Sequence, residues 1–350
     1  MMKVKATDFL IYDEATGKYK ENPEQAVRDD VEKHHWKRVL KLVLKDWRLY
    51  LMLVPMILVF LFWRYFPMYE LLGCFKVGTS ASEVKDQLFS GFANFNTILF
   101  GESLYAKEFW RAFRNTFMIS FYGLCFGFPV PIILALFFNE IKSNVLRSVY
   151  QVLTYLPKFM STVVITTLVT LLLKKSDVST GSGVLAGFLE SVGLVGEGVA
   201  ILETPRYFRA IYQISGIWET AGYDSIVFFA AVIAVSPTSY EAAQIDGAGK
   251  MAQMRYVVLP SILSTVVIML ITKIGTLLSV GYEKVLLLYN EHTHVTADVV
   301  STFAHRYGVA EGGGQSGIAI AAEMVNNLIG MVLVIGANTI ARKASDVSLY

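Results

Sequence analysis

Several stretches of this chain are apolar for longer than the core of a soluble domain accommodates. About 20 mostly apolar residues in a helix cross the ~30 Å hydrocarbon core of a bilayer. Six blocks approach or exceed that length: residues 49–66, 115–138, 148–173, 210–235, 256–280 and 316–341. Charged residues make up only 17% of the sequence, against roughly a quarter in soluble domains. Within lipid every backbone donor and acceptor needs a partner inside the protein, and a helix supplies them within one segment. The blocks therefore predict an all-α integral membrane protein with six transmembrane helices.

Lys and Arg orient these helices, because cytoplasmic flanks carry the excess. Lys37, Arg38, Lys41, Lys45 and Arg48 precede the first block. Lys142, Arg147, Lys250, Arg255, Arg342 and Lys343 follow the second, fourth and sixth. Both termini are thereby expected in the cytoplasm, with long outside segments at 67–111, 174–209 and 281–315. This divides the chain into a cytoplasmic tail, 1–48, a membrane domain, 49–342, and a short cytoplasmic tail, 343–350. The first 48 residues lack a signal-peptide pattern, since the apolar block starts too late and no small-residue cleavage site follows it. Cys74 and Cys125, the two cysteines, offer neither metal spacing nor a redox pair. A net charge of +2 gives no reason to expect a nucleic acid partner.

The inside segment 236–260 differs from an ordinary connection. Ser236 followed by Pro237 reads as an N-cap and a first helical residue, and Gly247 and Gly249 are natural stops. A short helix is expected between them, then a second helical stretch from Lys250 to Val258. Along this segment Glu241-Ala242-Ala243 is followed, after three intervening residues, by Gly247 and, after nine more, by Val257-Val258-Leu259-Pro260. This pattern resembles the EAA motif of ABC importer permeases, with Val257 where the family usually has Ile. Trp47-Arg48-Leu49-Tyr50-Leu51 with Pro55, Phe66-Pro67-Met68-Tyr69, Trp218 with Gly222, and Ile245-Asp246-Gly247-Ala248 resemble the oligosaccharide-type members.

The resemblance implies a type I permease bundle whose segment 236–260 forms a coupling helix seated in a groove of an ATP-hydrolysing subunit. Its coupling residues are Glu241, Ala242, Ala243, Asp246, Gly247, Leu259 and Pro260. The small side chains of Ala242 and Ala243 let another surface approach closely. Glu241 offers a carboxylate for a charge-assisted hydrogen bond. The implied partners are a second, related permease, two ATP-binding subunits and an extracellular substrate-binding protein. ATP-Mg belongs to the partner subunits and no cofactor to this chain. The implied setting is a bacterial cytoplasmic membrane crossed several times, and the implied cargo an oligosaccharide.

Ionisable residues inside a membrane are costly and by default face the bundle interior or a cavity. Glu219, Asp224, Lys273 and Glu323, with Asn326 and Asn327, are therefore candidates for a substrate pathway, and Trp218 and Tyr223 for stacking on a sugar. The alternative is that they pair with one another or with a partner subunit. Lys158, close to Pro157, reads as the mark of a kink. Gly247-Ala248-Gly249-Lys250 is not a phosphate loop, because Gln244 stands where its first glycine is needed and Met251 follows the lysine. His292, His294 and His305 share one outside segment without a convincing ligand set, and are expected in a solvated loop.

Two other functions are weighed against what the sequence lacks. An ion-driven secondary transporter calls for inverted repeats with broken helices in both halves, and no such pairing is visible. A membrane enzyme calls for a nucleophile–base or metal constellation, and no His-Glu-x-x-His or Gly-x-Ser-x-Gly is present. An ion-coupled secondary transporter and an ABC importer permease for a non-sugar solute are the competing readings.

Overall fold

The computed structural model describes residues 10–13, 18–21, 45–77, 88–175, 183–196, 198–310 and 316–344. It resolves two compact units, residues 1–70 and 71–350. The first unit holds an antiparallel hairpin, β1 (Leu10–Asp13) and β2 (Lys18–Glu21), with Tyr12 opposite Tyr19. It also holds most of a long helix, α1 (Trp47–Phe75). The hairpin corrects the expectation of a purely helical chain: Leu10-Ile11-Tyr12 and Lys18-Tyr19-Lys20 are short runs with β-branched or aromatic residues. Most of the expected tail 1–48, and nearly all of 343–350, lies outside the described residues. A two-residue ladder, β3 (Lys76–Val77) with β4 (Leu88–Phe89), opens the second unit.

The second unit continues with α2 (Ala93–Leu99) and the long α3 (Leu104–Glu140). The bent pair α4 (Asn144–Phe159) and α5 (Thr162–Leu173) follows, then α6 (Val184–Ser191) and α7 (Pro205–Ile233). Next come α8 (Pro237–Ile245), α9 (Lys250–Ser261) and α10 (Leu263–Gly275). Short helices α11 (Tyr282–Leu288), α12 (His294–Ala297) and α13 (Val300–His305) lead to α14 (Ser316–Ala344). Among the described residues three helices, α1, α3 and α14, are long and apolar enough to cross a membrane; counting bent pairs as single spans raises this to as many as six.

Two expected spans are broken. The block 148–173 turns by 102° between α4 and α5. Pro157 cannot donate into a continuing helix, Met160 is extended, and Ser161 caps α5 by accepting from the Val164 N–H. The block 256–280 bends by 63° at Ile262, between α9 and α10. Hydropathy reads apolarity and is blind to such bends. The second block extends upstream of its expected start because Ser103 caps α3 at Leu104. Its first turns bury Phe109 and Ala112 against Phe303 of α13 and Ala319, Ala321 and Ala322 of α14. Between membrane helices, small residues permit the close backbone approach from which packing energy comes. The outside segments, expected as loops, contain α2, α6 and α11–α13, each with buried apolar residues such as Ile98, Ala186 and Val285.

One glycine is fixed by packing. A Cβ on Gly222 of α7 would stand 2.0 Å from the carbonyl oxygen of Thr154, so α7 and α4 touch backbone to backbone. Arg147 of α4 lies over the Phe229 ring of α7, 5.8 Å from its centroid.

Candidate coupling surface and substrate cavity

The first site is α8 with its flanking turns. The sequence starts this helix at Pro237, whose fixed φ suits a first helical position, and stops it at Gly247, whose φ is 76°. That left-handed residue lets Ala248 N–H reach the Ala243 carbonyl at 2.8 Å and Gly247 N–H reach that of Gln244 at 3.0 Å, the bonding of a Schellman stop. Ser236 departs from the expected cap: its hydroxyl bonds Thr238 Oγ1 at 2.7 Å instead of a backbone N–H. α8 leaves the axis of α7 at 69°.

Its underside is anchored and its outer surface is bare. Tyr240 packs on the cluster of Leu136, Val232, Val258 and Ile262. Buried Gln253 donates to the Ala248 carbonyl at 2.7 Å, clamping the glycine turn to α9. Lys250 Nζ bridges to Glu140 at the end of α3 at 2.8 Å. Glu241, Ala242, Asp246 and Gly247 are exposed, Ala243 is half-buried, and Ile245 is 87% exposed. Leu259 and Pro260 are exposed on α9, next to the bend. A small, rigidly footed knob with an apolar side chain and a carboxylate on its free face suits a socket in another protein.

The second site is a cavity of about 570 Å³ between α3, α7 and α10, whose lining includes Tyr212, Gln213, Glu219, Asp224, Lys273 and Lys284. α3 and α7 run parallel along it: Arg209 donates to Asn115 Oδ1 at 2.9 Å, and one turn on Gln213 Nε2 donates to the Ile119 carbonyl. Lys284 of α11 pairs with Glu219 at 2.9 Å, with side chains only 11% and 16% exposed, and lies 5.4 Å from the Tyr212 ring. Burial of such a pair is tolerable only because each charge faces the other. Lys158 and Glu283 also reach the lining.

The eight expected pathway residues do not converge. Glu219, Asp224 and Lys273 share the cavity. Trp218 lines a separate pocket of about 610 Å³ otherwise built from aliphatic side chains, Tyr207 and Ser215. Tyr223 meets Phe159 edge-on, with ring centroids 6.1 Å apart. Glu323 and Asn327 line a third groove beside His305, and buried Asn326 donates to the Leu278 carbonyl at 3.1 Å. Lys284 and Gln213 were not selected from sequence. Lys284 lies in a segment assigned to an outside loop, and its one local signal is a cation abutting the apolar run Val285-Leu286-Leu287-Leu288.

The histidines also correct the sequence reading. His292 stays in an exposed turn, but His305 stacks on Tyr282 and His294 enters an ionic cluster. There Asp298, fully buried, bonds Arg306 at 2.9 Å and Thr302 Oγ1 at 2.8 Å, with Arg111 at 3.8 Å. Arg306 also contacts His294 Nε2 and Glu108. Burial pushes the His294 pKa down, with Arg306 and Arg111 adding to the effect and Asp298 opposing it.

A multi-helix membrane bundle carrying a bare, rigid knob beside a charged cavity defines a transport subunit that works with another protein. The sequence profile of the binding-protein-dependent transport system inner membrane components matches residues 127–280. Protein LplB of Bacillus subtilis (strain 168) is 32% identical over 315 residues, 90% of this chain and 94% of its own length. The polygalacturonan/rhamnogalacturonan transport system permease protein YteP of the same organism is 33% identical over 314 residues, again 90% and 94%. A chain from the crystal structure of a bacterial ABC transporter involved in import of the acidic polysaccharide alginate superposes with TM-score 0.77 at 38% identity, covering 87% of this chain and 99% of that one. A chain from that transporter in complex with an alginate pentasaccharide-bound periplasmic protein matches at the same TM-score and identity, over 89% and 100%. The chain belongs to the family of binding-protein-dependent transport system inner membrane components and is a permease subunit of an ABC importer.

Proposed function

We propose that the chain is a six-span permease with both termini in the cytoplasm, importing an oligosaccharide by alternating access. In this reading α8 is the coupling helix, held in a groove of an ATPase subunit by Glu241, Ala242, Ala243, Asp246 and Gly247, with Leu259 and Pro260 fixing the entry to the next span. A second, related permease completes the pathway, two ATP-binding subunits supply hydrolysis with ATP-Mg, and an extracellular binding protein delivers the sugar. The membrane domain spans 49–342, between cytoplasmic tails, in a bacterial cytoplasmic membrane. Glu219, Asp224 and Lys273, joined by Lys284, Lys158 and Gln213, line its substrate path. Trp218, Tyr223, Glu323, Asn326 and Asn327 lie away from that cavity and are assigned to packing or to the facing permease. The oligosaccharide class is supported by the polysaccharides named for YteP and for the alginate importer.

The observation that carries this reading is the coincidence of the EAA pattern with an exposed helix footed by Tyr240 and Gln253 and standing 69° off α7. The test is co-purification with the ATPase and solute uptake for Glu241→Arg and Gly247→Trp. Either change is expected to reduce both by about tenfold or more, the loss of one charge-assisted contact or of the turn. Unchanged association and uptake in both variants would remove α8 from the coupling role.

A further inference from the structure

A further concavity, of about 430 Å³, lies at the end of the α3–α7 seam away from α8. It is lined by Trp110, Arg111, Arg114 and Asn115 of α3, Arg209 of α7, and Val295 and Thr296 of α12. Asn115 is two turns from Gly123, which lines the central cavity, so the two hollows lie about 12 Å apart along α3. Between them run the Arg209–Asn115 and Gln213–Ile119 hydrogen bonds.

The charge in this hollow is not balanced. Arg111, Arg114, Arg209 and Arg306 are met by two carboxylates, Glu108 and Asp298. Those two lie closest to Arg306, at 3.3 and 2.9 Å, and reach Arg111 only at 3.9 and 3.8 Å. Arg114 is exposed and has no acidic partner among the described residues. Arg209 spends one Nη on Asn115, while its Nε, like that of Arg111, is buried without a hydrogen-bond acceptor. Trp110 is 48% exposed at the edge of the hollow, its indole N–H fixed on the Leu99 carbonyl at 3.2 Å. Guanidinium forks match carboxylates in plane and spacing. An indole offers the apolar face on which a sugar ring rests.

We propose that Trp110, Arg111, Arg114, Asn115 and Arg209 form an entry subsite for the carboxylates of an acidic oligosaccharide, a uronate chain, which passes from there along the α3–α7 seam into the central cavity. This rests on the oligosaccharide reading and adds the charge of the sugar to it. The central cavity does not share this excess: Lys158, Lys273 and Lys284 line it together with Glu219, Asp224 and Glu283, and Lys284 is spent on Glu219. Asp224 and Glu283 line the same cavity and set a limit on how many carboxylates it holds at once. The hollow is small and concave, which suits a saccharide end better than the broad surface a docked protein requires.

The experiment uses the complete complex in liposomes, with two probes of equal length, tetragalacturonate and its methyl-esterified form. Arg114→Gln and Arg209→Gln are expected to weaken tetragalacturonate binding and uptake about tenfold each, and to leave the neutral ester within twofold. Arg114→Lys, which keeps the charge, is expected to recover part of the loss. Rising salt is expected to narrow the difference between probes. Equal losses for both probes, or no loss for either, would overturn the subsite while leaving oligosaccharide import standing. Weaker capture of sugar-free binding protein by the same variants would overturn it in favour of protein docking. A wild-type complex that transports neither probe and no neutral oligosaccharide, while remaining ATPase-active, would instead defeat the oligosaccharide reading beneath it.

Discussion

The two ends of the α3–α7 seam are built by opposite means. At one end α8 is a nine-residue helix with no buried residue, defined by a proline, a glycine turn and two anchors, Tyr240 and Gln253. At the other end, Glu108, Arg111, His294, Asp298 and Arg306 come from α3, α12 and the turns around α13 and lock around a fully buried carboxylate. The first is specified by backbone conformation and left bare. The second is specified by side chains brought together across nearly 200 residues and is largely closed. A bare knob is free to transmit motion to a partner, whereas a closed ionic cluster holds short helices in place at the mouth of a pathway. The difference gives each end its own signature on substitution: loss of stability at the cluster, loss of coupling at the knob.

The largest stability effect is expected at Asp298. Removing its charge leaves Arg306 half-buried beside a neutral group, and breaking a buried pair from one side typically costs about 3 kcal/mol or more. Asp298→Ala is therefore expected to lower the thermal midpoint of the detergent-solubilised complex by several degrees, read by fluorescence-detected size exclusion. A variant as stable as the wild type would mean the cluster is not what holds this end together. Gly222→Val probes the ground between the ends: with 2.0 Å from its Cβ to the Thr154 carbonyl oxygen, α7 must move off α4. Overpacking of this kind costs about 1–3 kcal/mol and sometimes more. A second-site change at Thr154 cannot relieve it, because the obstacle is backbone; recovery by Thr154→Gly would show that the two helices are not in backbone contact.

How much of this was legible in the sequence follows the same division. The bounds of α8 were readable because Pro237 and Gly247 act on their own φ angles, and the structure starts and stops the helix where they stand. The apolar blocks were readable because hydropathy is a sum over neighbours. The bend at 160–161 was readable only as a kink beside Pro157 and Lys158, without its size, and the bend at 262 was not, since a bend depends on what the next element packs against. Glu219, Asp224 and Lys273 stood out as charges in apolar surroundings, but the partner of Glu219 lies 65 residues away on a helix of only seven residues, too short to read as a span. The ionic cluster was invisible for the same reason. His294 and Asp298 read as loop residues until α3 supplies Glu108 and Arg111.

At the knob the expected signature is reversed. Gly247→Ala places a Cβ on a residue at φ 76° with nothing within 4 Å of it. Only the backbone is strained, by about 1–2 kcal/mol, and α8 is exposed, so the complex is expected to stay folded with a midpoint lowered by a few degrees at most. Sugar-stimulated ATPase activity is expected to fall much further than stability does. If stability and coupling fall together, or neither falls, the contrast between the two ends dissolves.

The smallest effect separates the ends by pH. His294 is held below its ordinary pKa of 6.5 in the folded protein, chiefly by burial. Well above pH 6.5 its imidazole is neutral whether folded or not, and it contributes no pH dependence. Below that, the unfolded chain takes up a proton that the folded cluster resists, so stability declines as pH falls from about 6.5 toward the folded value. Thermal midpoints measured between pH 7.5 and pH 5.5 are expected to drop slightly more for the wild type than for His294→Gln, which has nothing to protonate there. The difference is expected to vanish above pH 7. The α8 variants leave His294 in place and are expected to keep the wild-type slope, which ties the pH response to the closed end alone. A His294→Gln complex with an unchanged slope would place the titrating group elsewhere in the molecule.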